Sequence, residues 1–129
     1  MMEKTIIKTT NAPDPIGPYN QAVLFGNLLF ISGQVAINPA TGNVENPDII
    51  AETNLVMQNL QAILSEAGMN FSNVVKSTIF LSDMSLFTTV NEVYGKFFSD
   101  EPPARATVQA VRLPRDARVE IEAVALLRE

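Results

Sequence analysis

Two residues in the C-terminal third could do polar chemistry together. Arg105 follows Pro102-Pro103-Ala104 at the head of one apolar segment, and Glu120 lies early in the next, Val119-Glu120-Ile121-Glu122-Ala123. A guanidinium is a planar fork that matches a carboxylate bidentately, and the two prolines stiffen its approach. A carboxylate can take a proton from water and hand it on. Read alone, each residue could equally be an ordinary surface arginine or a solvated strand glutamate. What sharpens the pair is what the chain lacks. It contains no histidine and no cysteine, which excludes a Ser-His-Asp triad, a thiolate nucleophile and a His/Cys metal site. Neither a GxGxxG run nor a P-loop occurs. Any catalysis must therefore use guanidinium, carboxylate, hydroxyl and backbone groups. A lysine Schiff base stays open, but Lys4, Lys8, Lys76 and Lys96 sit in segments that read as edges or exposed faces.

The chain around these residues reads as one domain spanning 1–129, long enough for a single core. Hydrophobic residues make up 47% and argue against disorder. The net charge of −5 argues against a nonspecific nucleic-acid partner, since phosphate binding needs a basic surface. The longest apolar runs are too short to cross a bilayer, and Met1 to Thr5 has no apolar stretch like a signal peptide. The expectation is a soluble, cytoplasmic protein without a membrane partner. Asn70-Phe71-Ser72 fits the glycosylation pattern but carries little weight without an export signal.

Thr5 to Thr9 reads as an edge strand. Residues 11–19 hold Pro13, Pro15, Gly17 and Pro18 and must form a rigid, irregular loop that carries Tyr19. Ala22 to Phe25 and Leu28 to Ser32, joined by Gly26-Asn27, predict a hairpin ended by Gly33. A helix is expected after Asn46-Pro47-Asp48, with Val56, Leu60, Ile63, Leu64 and Ala67 as its buried stripe and Gly68 as its stop. Val74 to Leu81 is a strand. A second helix, capped by Ser82, Asp83 or Ser85, buries Leu86, Val90, Val93, Tyr94 and Phe97. Thr107 to Val111 and Val119 to Leu127 are the last strands. The class is α+β, with two helices covering one face of a sheet. Along the last strand Val119, Ile121, Ala123, Ala125 and Leu127 share one face, while Val124 and Leu126 leave apolar content on the other, beside Glu120 and Glu122. That second face is expected to pack on another subunit.

Ile16-Gly17-Pro18-Tyr19, Ile31-Ser32-Gly33-Gln34, Thr89 to Tyr94, Pro103-Ala104-Arg105, Arg112 to Asp116 and Val119 to Ala123 occur in that order. Together they resemble the RidA/YjgF family of reactive-intermediate deaminases over nearly the whole chain. The resemblance implies a chorismate-mutase-like fold, with a mixed sheet of about six strands and helices packed on one face. It further implies a homotrimer with clefts between subunits. The implied reaction is cofactor-free and metal-free hydrolysis of 2-imino acids, derived from 2-aminoacrylate and its homologues, to 2-keto acids and ammonia.

By the same resemblance Arg105 clamps the substrate carboxylate and Glu120 activates water, with Glu122 the nearest alternative. Tyr19 orients substrate or water, and Gly33 lets backbone approach the ligand. Phe87 and Asn91 line the cleft from a neighbouring subunit. Thr107 stands where many relatives carry cysteine; it keeps the backbone groups and removes thiol chemistry, so imine hydrolysis is expected to survive without it. A simple hairpin of the last two strands, turning near Arg115, would leave Glu120 about five residues, or roughly 17 Å, from the residue facing Arg105. In the family's sheet the two strands are not neighbours either. Both routes imply that Arg105 and Glu120 cooperate only across a subunit boundary. The rival readings are a non-catalytic regulator of the same fold that binds a keto acid, and an endoribonuclease, which the acidic charge and missing histidine argue against.

Overall fold

The computed structural model describes residues 3–128. Six strands and two helices follow in the order β1 (Lys4–Ile7), β2 (Ala22–Phe25), β3 (Leu28–Gln34), α1 (Ile49–Glu66), β4 (Val74–Leu81), α2 (Phe87–Gly95), β5 (Ala104–Gln109) and β6 (Val119–Leu126). The strands form one mixed sheet in the spatial order β1-β2-β3-β6-β4-β5. All neighbours run antiparallel except β4 and β5, which are parallel. The last two strands in sequence are thus separated by β4, as the resemblance implied.

Local signals account for most boundaries. Gly26 takes φ 62, which the tight β2–β3 turn requires and glycine adopts without strain. The Asp48 carboxylate accepts from the Ala51 N–H at 2.8 Å and caps α1. Gly68 ends that helix with φ 75, while the Met69 N–H donates to the Leu64 carbonyl at 2.8 Å. Asp83 caps a short 3₁₀ turn, Met84–Leu86, that leads into α2. Asn70 is spent in a reciprocal capping box with Asn73, and its side chain also accepts from the Ser72 N–H and hydroxyl.

The core lies between the sheet and the helices. Leu29 and Ile31 of β3, Ile79 and Leu81 of β4, and Val119, Ile121, Ala123 and Ala125 of β6 pack against Val56, Leu60, Ile63 and Leu64 of α1 and Val90 and Tyr94 of α2. Each fully buried aliphatic side chain of this kind stabilises the fold by about 1.5–3 kcal/mol. Inside that layer the buried Glu52 of α1 accepts from Arg118 Nε at 2.7 Å and from the Arg118 N–H at 2.8 Å. This pair ties α1 to the start of β6. The opposite sheet face carries Phe30, Lys76, Glu122 and Val124 toward solvent, with Phe30 47% exposed.

Four expectations shift. The first strand is Lys4–Ile7 rather than Thr5 to Thr9, because Thr9 instead turns to the Gln21 side chain, which accepts its N–H at 2.8 Å. Gly33 does not end β3, which continues through a bulge to Gln34 opposite Ile121. The second helix stops at Gly95; Phe97 lies beyond it yet still packs on the core, edge-on to Phe71. Finally β5 is Ala104–Gln109, not Thr107 to Val111, because pairing with β4 begins at Lys76 opposite Ala104, directly after the prolines. Val111 is fully exposed.

Candidate active site

The proline loop is the first element that builds a site. Gln21 is 2% exposed, and its amide donates to the carbonyls of Thr9, Ala12 and Pro13 at 3.0, 3.2 and 2.8 Å. That clamp pins the loop against the sheet. At its far end the Tyr19 hydroxyl accepts from the Ile16 N–H at 3.3 Å, and the Tyr19 N–H donates to the Gly17 carbonyl at 2.8 Å. Ser32 joins loop to strand, its hydroxyl donating to the Asn20 carbonyl at 2.6 Å. Between loop and sheet lies a cleft of about 430 Å³ lined by Tyr19, Ser32, Gly33, Glu120 and Glu122. Pro114 closes one side, from a loop in which Arg115 and Asp116 both take left-handed φ, 60 and 55. A second hollow of about 470 Å³, lined by Lys76, Thr78 and Glu122, adjoins it along the open sheet face and shares Tyr19 and Ser32.

Glu120 is half-buried in the first cleft. Burial pushes its carboxyl above the ordinary glutamate range, and the neighbouring Glu122 charge pushes it further the same way. A carboxylate so placed is a better proton acceptor than an ordinary glutamate.

The second cluster surrounds Arg105. Its Nη1 donates to the Asn91 side-chain oxygen at 2.7 Å. The guanidinium carbon lies 5.7 Å from the Phe87 ring centre and 5.1 Å from that of Tyr94, within cation–π range. The Tyr94 hydroxyl pairs with the Ser77 hydroxyl at 2.6 Å; burial raises its pKa, opposed by the Ser77 bond and by Arg105. Among the described residues Arg105 meets no carboxylate. The guanidinium is oriented by one amide and two rings and keeps its charge free for an anion. Two residues on, the Thr107 hydroxyl oxygen is buried without a hydrogen-bond partner among the described residues.

The sheet register shows how the two clusters are related. Ser77 of β4 sits opposite both Arg105 and Ala123, so Arg105 belongs to the helix-covered face. Phe80 sits opposite both Glu120 and Val108, on the open face. Within one chain, Tyr19, Gly33 and Glu120 converge; Arg105, Asn91 and Phe87 converge; and β4 with the thickness of the sheet separates the two groups. Reasoning from sequence missed Gln21, Ser77 and Tyr94. Tyr94 fell on the apolar stripe of its helix and read only as core, while nothing local to Gln21 announces three carbonyl partners.

No group of three or more His, Cys, Asp or Glu side chains that could hold a metal is found among the described residues. Nor is any helix there long and apolar enough to cross a membrane.

The family described as Endoribonuclease L-PSP matches residues 9–127. The mouse 2-iminobutanoate/2-iminopropanoate deaminase is 46% identical over 95% of this chain and 91% of its own. The crystal structure of the Escherichia coli YjgF gene product superposes with a TM-score of 0.91 at 42% identity, covering 96% of this chain and 99% of that one. The structure of Escherichia coli TdcF with bound serine superposes at 0.92 and 40% identity, over 96% and 99% of the two chains. A six-stranded mixed sheet under two helices, matched to these relatives from the proline loop to the end of β6, makes this chain a member of the endoribonuclease L-PSP family, that of YjgF and RidA.

Proposed function

We propose that this protein is a homotrimeric deaminase that hydrolyses small 2-imino acids to 2-keto acids and ammonia in clefts between subunits. The observation that carries this reading is the division of the site: a half-buried carboxylate of raised pKa on one sheet face, and on the other a guanidinium held by Asn91 that meets no carboxylate among the described residues. Neither half is a site for a small acid by itself. When subunits associate, Arg105 of one protomer meets the Glu120 cleft of the next. The mouse relative's name supports the reaction class.

In that cleft Arg105 grips the substrate carboxylate, each charge-assisted bond contributing about 1.5–3 kcal/mol. Glu120 accepts a proton from water as the water oxygen bonds to the imine carbon and the C=N π electrons move to nitrogen. Glu120 returns that proton to the nitrogen, giving the neutral carbinolamine. It then takes the carbinolamine hydroxyl proton and delivers it to the nitrogen as the C–N bond breaks, so that the C–O bond becomes a carbonyl and ammonia leaves. Water and imino acid enter; keto acid and ammonia leave; no redox partner is needed. Tyr19 and the backbone about Gly33 and Thr107 position the reacting carbon, while Phe87 and Asn91 hold the clamp.

The test generates 2-iminopropionate or 2-iminobutyrate in situ and follows keto-acid formation. Wild type should exceed the uncatalysed rate, Arg105→Ala should raise KM, and Glu120→Gln should lower kcat by ~10²–10⁴-fold. Equal rates for all three and for buffer overturn the assignment. If the chain is instead a keto-acid-binding regulator, binding survives Glu120→Gln and no turnover appears in wild type.

A further inference from the structure

The bulge in β3 puts an unexpected constraint on Gly33. Ile31 pairs with Ala123 and Gln34 with Ile121, so β3 spends one more residue than β6 between these pairs. An extra residue of this kind reverses which face the following side chain meets. Position 33 is thereby turned from the helix-facing core to the open face, beneath Glu120. A Cβ built on Gly33 would lie 2.9 Å from the Glu120 carboxyl carbon and 3.1 Å from its Cγ, and would collide with Oε2. The φ of Gly33 is not in the left-handed region, so the backbone there does not demand glycine. The carboxyl does.

We propose that Gly33 is a positioning residue whose missing side chain forms the seat of the Glu120 carboxyl, and that the β3 bulge exists at this point to offer that seat. The obstructed atoms are the far end of a flexible side chain. A methyl group at position 33 therefore swings the carboxyl out of its place and leaves the sheet intact. Seated on glycine, the carboxyl is shielded by backbone. Asp14 and Tyr19 from the proline loop and Glu122 from its own strand line the cleft with it, and β4 sets the uncharged Phe80 opposite it. Among the described residues no cation lines this cleft; Arg115 borders the neighbouring hollow. Release to solvent removes the burial that holds the carboxyl above its ordinary range.

The kinetic part of the test rests on Glu120 being the water-activating group; the structural part does not. The carboxyl of Glu120, identified by comparing ¹³C-glutamate spectra of wild type and Glu120→Gln, should titrate above the ordinary glutamate range in wild type and return to it in Gly33→Ala. Gly33→Ala should lower kcat on the order of 10²-fold, yet change it by less than about twofold when added to Glu120→Gln. An unchanged titration, or an equal loss of kcat in both backgrounds, overturns the proposal. If Gly33→Ala does not fold, Gly33→Ala/Glu120→Ala must fold as Glu120→Ala does, and a double variant that also fails overturns it. Should wild type show no deaminase activity, the proposed function falls and the titration alone decides the seat.

Discussion

In the proposed mechanism Glu120 couples activity to stability through one proton. Its folded pKa lies above the ordinary value, first because of burial and then because of Glu122. As a base it must be ionised, so kcat/KM should fall as pH drops through that raised value, and the acid limb of the profile should lie above the range of a free glutamate. The sign for stability is opposite. The folded chain holds the proton more tightly than the unfolded one, so ionisation costs stability, none of it below the unfolded pKa and all of it above the folded one. Glu120→Gln should therefore melt higher than wild type near neutral pH, with the gain vanishing below the ordinary glutamate pKa. Melting curves across pH decide this; a variant that melts lower near neutrality would show that the carboxylate is paired rather than desolvated. Glu120 and Arg105 were both legible as residue types. The seat under Glu120 was not, because it depends on a bulge that no residue pattern in β3 announces.

At the scale of elements, an anchor hidden beneath the proline loop decides where Tyr19 stands. Gln21 satisfies the carbonyls of Thr9, Ala12 and Pro13 and accepts the Thr9 N–H. Gln21→Ala orphans these groups, and a buried unsatisfied polar group costs about 1–3 kcal/mol. The expected result is a lower melting temperature together with reduced kcat, since Tyr19 and the cleft wall loosen. Tyr19→Phe, which leaves the clamp intact, should leave the melting temperature nearly unchanged. The α1 anchor is stricter. Glu52→Ala leaves the partly buried Arg118 and two β6-end N–H groups without their acceptor, a loss of about 3–5 kcal/mol for a broken buried pair. Denaturant titration of that variant checks it. The helices were readable because Asp48, Gly68 and the apolar stripe agree with one another. The β5 boundary was misjudged because the partner strand, not the local β-branched residues, sets where a strand begins.

If Arg105 and Glu120 act on one substrate, as proposed, a single chain has the wrong geometry for the reaction. Arg105 faces the helices and Glu120 faces away from them, so no rotamer brings both to one small acid. Mixed assembly tests this directly. Arg105→Ala and Glu120→Gln, assayed at substrate well below the raised KM of Arg105→Ala so that each is nearly inactive alone, are unfolded, combined in equal amounts and refolded together. If every site takes its guanidinium from one protomer and its carboxylate from the next, about one quarter of the sites regain both groups, and with them about one quarter of wild-type activity. Refolding each variant alone should recover nothing. No recovery in the mixture would mean that both groups act from the same chain, contrary to the register of the sheet.

The amino-acid sequence by itself determined the chemical vocabulary, the α+β class and the family. Missing histidine and cysteine exclude whole mechanisms, periodic apolar residues specify helices and strands, and several short motifs in a set order are hard to meet by chance. Tertiary structure alone decided which candidates share a site. Facing is set by strand order and register: placing β4 between β5 and β6 puts Arg105 and Glu120 on opposite faces, and one extra residue in β3 turns Gly33 toward Glu120. Those are pairings between segments distant along the chain, and no local pattern of residues encodes them.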